Sequence, residues 1–170
     1  MHANRARSAP QQPLYTAEQR RRRDASPWTW VQGVLAPLQF LVFLVSLVLV
    51  LRYVLTENGQ YAATVSVVIK TLVLYTIMIT GAIWEKVVFG RYLFAPAFFW
   101  EDVFSMLVLA LHTTYLVGLF GGYLEPRALA FVALAAYTAY VINAAQFVLK
   151  LRAARLQASS TAHAAWEPTR

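Results

Sequence analysis

The sequence contains no cysteine among its 170 residues. This absence excludes disulfide bonds, thiolate catalysis and zinc–thiolate sites. Histidine is scarce too: the chain has only His2, His112 and His163, and two of these lie in polar terminal segments. No histidine cluster can therefore be assembled for a metal, and a metal enzyme that relies on its own ligands is not expected.

Charged residues are also few, at 14% of the chain, whereas hydrophobic residues make up 59%. A soluble domain usually carries about a quarter charged residues, so the composition predicts an integral membrane protein. The net charge of +7 comes mainly from the flanks of the apolar region, in residues 20–23 and in Lys150, Arg152 and Arg155. Basic flanks of this kind are typical of cytoplasmic segments beside anionic lipid, so we expect a lipid bilayer and no nucleic acid as partner.

Four apolar segments are long enough to cross a membrane, at roughly residues 30–55, 63–89, 98–120 and 127–149. Each is near or above the roughly 20 residues that a spanning helix needs, and lipid leaves no alternative to helices for runs this long. The sequence therefore predicts an all-α integral membrane protein with four transmembrane helices over residues 26–155. We expect a basic, disordered N-terminal tail over residues 1–25 and a disordered C-terminal tail over residues 156–170. The distribution of lysine and arginine predicts that both termini are cytoplasmic.

Ionisable side chains inside the spans need a partner or a cavity. Helical periodicity places five residues of the third span on one face, and all but the valine are polar: Glu101, Ser105, Val108, His112 and Tyr115. Glu85 ends the second span at a depth similar to that of Glu101, because the short connection makes the two helices antiparallel. If the faces meet, a protonated and an ionised carboxylate lie side by side, and such a pair can serve as acid and base.

The carboxylates and the histidine also have structural interpretations. Asp102 could simply favour the dipole of the helix that it begins. Glu85 could form a salt bridge with Lys86 or Arg91, and His112 could make an interhelical hydrogen bond. The coincidence of four such groups on two adjacent helices nevertheless favours a functional site.

The basic and aromatic residues near the carboxylates allow the same two interpretations. Lys86 could reach the lipid headgroups, and Lys70 is expected to extend to the external interface. Trp84 and Trp100 could belong to the aromatic belt at the membrane surface.

Two long strings carry a resemblance to a known family: LYTAEQRRRRDASPWTWVQGVLAPLQFLVFLVSLVLVLRY and TGAIWEKVVFGRYLFAPAFFWEDVFSMLVLALHTTYL. They closely resemble the small membrane vinyl hydratases of bacteriochlorophyll biosynthesis, the 3-vinyl bacteriochlorophyllide hydratase family, and the resemblance runs from about Leu14 to Leu151. It implies the addition of water across the C3 vinyl group of a chlorophyllide-type tetrapyrrole, which gives a 1-hydroxyethyl group. It also implies a multi-pass protein of the bacterial inner membrane, cytoplasmic or intracytoplasmic. No cofactor is implied, because the magnesium is carried by the substrate.

Residue roles can be predicted once this chemistry is assumed. The catalytic candidates are Glu85, Glu101, Asp102 and His112. Glu85 or Glu101 would be the acid, and its neighbour or Asp102 would orient and deprotonate the water. His112 could instead be the base or ligate the substrate magnesium. The macrocycle and its propionate would be bound by aromatic and basic residues, namely Trp84, Lys86, Arg91, Tyr92, Phe99 and Trp100, with Phe94 and Phe98 as further ring contacts.

Two other functions are compatible with the sequence. A non-catalytic bacteriochlorophyll-binding or assembly protein would use His112 to hold the pigment. A small transporter or channel would need an oligomer, and the carboxylates cluster too strongly at one end for a continuous path. A homo-oligomer, or an assembly with other pigment-biosynthesis enzymes, is also compatible with the hydratase.

Overall fold

A computed structural model of the chain describes the backbone of residues 14–166 and the side chains of residues 14–156. The described residues form five helices and no strand. The helices are α1 (Ala17–Ala25), α2 (Pro27–Thr56), α3 (Gln60–Phe89), α4 (Phe99–Phe120) and α5 (Pro126–Trp166). Four segments are long and apolar enough to cross a membrane: α2, α3, α4 and α5 as far as Leu156. The predicted all-α, multi-pass architecture is therefore confirmed.

The short helix α1 lies within the segment that the sequence predicts to be disordered. The side chain of Thr16 accepts a hydrogen bond from the Gln19 N–H, and the side chain of Gln19 accepts one from the Thr16 N–H. This capping box stabilises the first turn. Tyr15 is buried against the rings of Phe89 and Phe98 and so ties the segment to the bundle. Residues 17–25 are thus helical within the predicted N-terminal tail, and residues 1–13 lie outside the described part.

The last helix also extends beyond its predicted end. α5 continues to Trp166, past the predicted boundary at residue 155. The added stretch is rich in alanine and contains neither proline nor glycine, so its composition favours continuation of the helix. Residues 167–170 of the predicted disordered tail lie outside the described part.

The helices pack as two antiparallel hairpins, α2 with α3 and α4 with α5. Contacts between α2 and α5 and between α3 and α4 join the hairpins, and α1 lies against α3. The beginning of α2 is set by Ser26, whose hydroxyl accepts a hydrogen bond from the Trp28 N–H, and by Pro27 in the first turn. We call the end of the bundle with the α3–α4 connection the loop end, and the end with the turns at residues 57–59 and 121–125 the turn end.

Candidate active site

Two carboxyl groups meet at the loop end of the bundle. Glu85 lies near the end of α3 and is 5% exposed, and Asp102 lies in the first turn of α4 and is 4% exposed. The two carboxyl groups interact electrostatically and lie within hydrogen-bonding reach of each other. An ionised carboxylate has no donor, so a hydrogen bond within this pair would need a proton on one of the two groups. Glu85 and Asp102 therefore form a buried pair of carboxyl groups.

The α3–α4 connection holds this pair with two consecutive backbone N–H groups. The Phe94 N–H donates to Asp102 Oδ2 at 2.7 Å, and the Ala95 N–H donates to Glu85 Oε2 at 3.2 Å. Phe94 has a φ of 58°, in the left-handed region that a residue other than glycine seldom adopts. Such a conformation persists only where its surroundings enforce it, and it is common at functional sites. The backbone of the connection is thus shaped around the two carboxyl groups.

Glu101 faces a different partner. Its Oε2 lies 2.5 Å from the Nζ of Lys150 on α5, and this ammonium also donates to the carbonyl oxygen of Ala97. One residue along a helix turns a side chain by about 100°. Asp102 therefore faces α3 while Glu101 faces α5, and the predicted Glu85–Glu101 pair is replaced by Glu85–Asp102.

Lys150 is a site residue that the sequence reasoning missed, since it was counted only as part of the basic flank. A signal existed in the spacing of α5. Asn143 lies seven residues before Lys150 and so on the same face, and its Nδ2 donates to Ser105 Oγ at 2.8 Å. Ser105 in turn lies one turn after Glu101. Pairing the Asn143–Lys150 face of α5 with the Glu101–Ser105 face of α4 would have placed Lys150 beside Glu101.

The predicted aromatic residues separate into an inner and an outer group. Trp84 and Phe98 lie inside, with ring centroids 5.8 Å apart, and the indole N–H of Trp84 donates to Thr29 Oγ1 at 3.0 Å. The outer residues are all exposed, and we call them the aromatic surface: Tyr92, Phe94, Phe99 and Trp100. Phe99 lies 5.8 Å from Phe94 and 5.5 Å from Trp100 between ring centroids. These outer rings, rather than all the predicted ones, are available to a ligand.

The two predicted cations lie beside the aromatic surface. Lys86 is exposed, donates to the Gly90 carbonyl at 2.9 Å and stands 5.3 Å from the centroid of the Tyr92 ring. Arg91 is exposed and directly precedes Tyr92. Among the described residues, neither forms an ion pair with Glu85, whose contacts are Asp102 and Ala95. Both cations are therefore free to meet an anionic group at this surface.

His112 lies apart from the carboxyl groups. It is 0% exposed, and its ten-residue separation from Asp102 corresponds to about 15 Å along α4. Lys70 is equally buried, with its Nζ 4.1 Å from the centroid of the Tyr140 ring. The expectation that Lys70 extends to the external interface is therefore wrong, because its side chain points into the bundle. Within the described residues, no group of three or more histidine, cysteine, aspartate or glutamate side chains could hold a metal ion.

Comparison with known proteins places this arrangement in a family. The sequence profile of 2-vinyl bacteriochlorophyllide hydratase matches residues 15–153. The chain belongs to the 2-vinyl bacteriochlorophyllide hydratase family. The matched region includes both hairpins as far as Lys150, and with them every residue of the site at the loop end. The family resemblance expected from the sequence is thus confirmed.

Two relatives in this family match nearly the whole chain. The protein of Rhodobacter capsulatus is 66% identical over 157 residues, which cover 90% of this chain and 91% of the relative. The protein of Cereibacter sphaeroides is 67% identical over 150 residues, which cover 88% and 92%. Both are named 2-vinyl bacteriochlorophyllide hydratase. These names number the vinyl group 2, whereas the family name given in the sequence analysis numbers it 3. No solved structure matches the chain.

Proposed function

We propose that this chain adds water to the vinyl group of a chlorophyllide-type or bacteriochlorophyllide-type macrocycle and forms the 1-hydroxyethyl product in bacteriochlorophyll biosynthesis. The observation that carries this proposal is the buried Glu85–Asp102 pair in a member of a vinyl hydratase family. The names of the relatives indicate the substrate and the reaction. The pair offers the acid and the base that the reaction needs.

The reaction can be written with the pair alone. The carboxylic acid of the pair gives its proton to the terminal vinyl carbon, and the electrons of the double bond form the new C–H bond. The positive charge that develops on the carbon beside the ring is delocalised by the macrocycle. The carboxylate of the pair then takes a proton from a water molecule whose oxygen bonds to that carbon. One carboxyl group has lost a proton and the other has gained one, so a shift within their hydrogen bond restores the starting state.

The aromatic surface is the proposed binding site for the macrocycle. Phe94 connects the two parts of the site, because its N–H contacts Asp102 and its ring belongs to the aromatic surface. Flat rings would pack on Phe99 and Trp100. Lys86 and Arg91, at the edge of the same surface, would meet the propionate. The magnesium enters as part of the substrate, and the proposal needs no cofactor of the protein.

The separation of His112 from the pair argues against His112 as the magnesium ligand of the reacting macrocycle. The magnesium and the vinyl carbons of one macrocycle are much closer together than the roughly 15 Å between His112 and Asp102. A macrocycle ligated by His112 would therefore hold its vinyl group away from the pair. We assign the chemistry to Glu85 and Asp102. Glu101, held by Lys150, would position the start of α4.

Incubation of the purified protein with the vinyl chlorophyllide tests the function. The expected product has gained the mass of one water, and its long-wavelength absorption band is shifted to the blue because the vinyl conjugation is lost. Mass spectrometry and absorbance on the same extract measure both. Unchanged pigment that stays bound in a fixed ratio to the protein would contradict the proposal and favour the non-catalytic pigment-binding alternative.

We also propose that the loop end faces the cytoplasm, from an inner or intracytoplasmic membrane of a bacterium. Arg20 to Arg23 on α1, Lys86 and Arg91 are all at this end, and cytoplasmic flanks are enriched in such residues.

The absence of cysteine makes this orientation simple to test. In spheroplasts, an impermeant maleimide is expected to label Asn58→Cys at the turn end. Ala25→Cys at the loop end should be labelled only after lysis. The opposite pattern in the two variants would place the loop end outside.

A further inference from the structure

A second polar site lies in the middle of the bundle, apart from the carboxyl pair. Lys70 on α3 and His112 on α4 are both fully buried. The Nζ of Lys70 and the Nε2 of His112 have no hydrogen-bond partner among the described residues. Each therefore offers an unused polar atom to the interior of a membrane-spanning bundle.

Lys70 and His112 each contact a tyrosine of α5. The Nζ of Lys70 stands over the ring of Tyr140, and the ring of His112 lies 5.9 Å from that of Tyr137. Tyr137 and Tyr140 are three residues apart and so lie on the same face of α5. Lys70 and His112 are also electrostatic neighbours. Three helices from both hairpins thus enclose one site.

The hydrogen bond of His112 fixes what this site can bind. Its Nδ1 lies 2.9 Å from the carbonyl oxygen of Val108. That oxygen can only accept, so Nδ1 carries the proton, and in a neutral imidazole the Nε2 then presents a lone pair. Lys70 presents N–H donors.

A ligand of this site must therefore accept a hydrogen bond from Lys70 and donate one to His112. Water does both. An anion such as chloride has no proton to donate to Nε2, and a metal cation would be repelled by a lysine ammonium. Buried waters are commonly found bridging polar groups that would otherwise lack a partner.

We propose that Lys70 and His112 bind a water molecule between them, which links the α2–α3 hairpin to the α4–α5 hairpin at mid-membrane. Lys70 donates to the water oxygen, and the water donates to His112 Nε2. The bridge complements the sparse direct contacts between α3 and α4. It does not depend on the hydration reaction, and it gives His112 a role that is distinct from catalysis.

Solid-state NMR of the protein in bilayers tests the water directly. His2→Ala and His163→Ala leave His112 as the single histidine, which is then labelled with ¹⁵N. The expected spectrum shows a protonated Nδ1, an unprotonated Nε2 and magnetisation transfer from water to Nε2, and this transfer should be lost in Lys70→Met. A protonated Nε2, no transfer from water, or a signal that changes when chloride is replaced by sulfate would overturn the proposal.

A double-mutant cycle tests the link between the hairpins. Lys70→Met and His112→Phe each leave one partner of the water unsatisfied, whereas the double variant removes both. The thermal unfolding midpoint of the double variant should therefore fall by clearly less than the sum of the two single shifts. A matched cycle of Lys70→Met with Thr114→Ala, an exposed residue that bonds only within α4, should be additive. Additivity in the Lys70–His112 cycle would contradict the bridge. If the variants do not fold, the NMR measurement alone tests it.

Discussion

Glu85→Gln is expected to lower the rate of vinyl hydration by about 100-fold or more, the usual contribution of a general acid or base. The substitution removes the proton that the pair transfers but keeps its hydrogen bonds. The glutamine oxygen can still accept from the Ala95 N–H, and the glutamine amide can donate to Asp102. The loss should therefore appear in kcat, measured as the rate of the blue shift, with the circular dichroism spectrum of the helices unchanged.

Further variants separate this chemistry from binding. Asp102→Asn should lose activity to a similar extent, because the asparagine oxygen can accept from the Phe94 N–H while the amide faces Glu85. Trp100→Ala should instead raise KM with a smaller change in kcat, because Trp100 lies on the aromatic surface and is 66% exposed. Glu57→Gln, at the turn end, is the matched control and should keep the parent rate. Parent rates in both carboxyl variants would rule out the pair as the catalytic centre.

The fold could be predicted from the sequence because hydrophobicity and length alone decide it. Lipid forces every long apolar run into a helix, and short turns force neighbouring helices to be antiparallel. The buried stripe of α4 was also predictable, since Glu101, Ser105, His112 and Tyr115 are all buried as the periodicity requires. The contact of Tyr15 with the bundle was not, because it depends on rings that lie more than 70 residues away in the sequence.

The partners of the carboxyl groups could not be predicted from one helix at a time. Glu101 and Asp102 are adjacent, and either could have faced α3. The choice depends on where α5 lies, since Lys150 takes the side of the helix that Glu101 presents. The role of the Phe94 and Ala95 backbone was equally hidden, because no side-chain pattern reports where an N–H points. The position of Lys70 was predicted wrongly, because a lysine in a membrane helix usually extends its side chain to the interface. The Tyr140 ring that holds the Lys70 side chain inside the bundle is on another helix.

Lys150→Met is expected to be the most destabilising substitution at the loop end. Lys150 is 28% exposed and Glu101 is almost fully buried, so the pair is held largely out of water. Removing one partner of a buried ion pair costs about 3–5 kcal/mol, because the other charge is left uncompensated. The partial exposure of Lys150 places the expected loss near the lower end, about 3 kcal/mol, and the Ala97 carbonyl loses a donor as well. The thermal unfolding midpoint, followed by circular dichroism in detergent, measures it.

The double variant Glu101→Gln/Lys150→Met shows whether the unpaired charge is the cause. It has no Glu101 carboxylate to leave unpaired, so it should recover most of the stability lost in Lys150→Met. Arg155→Met is the control for the loss of a positive charge near the end of the bundle, and it should shift the midpoint little because Arg155 is exposed. If the double variant were as unstable as Lys150→Met, the unpaired Glu101 charge would not be the cause, and the contact of the Lys150 ammonium with the Phe98 ring would hold α5 against α4.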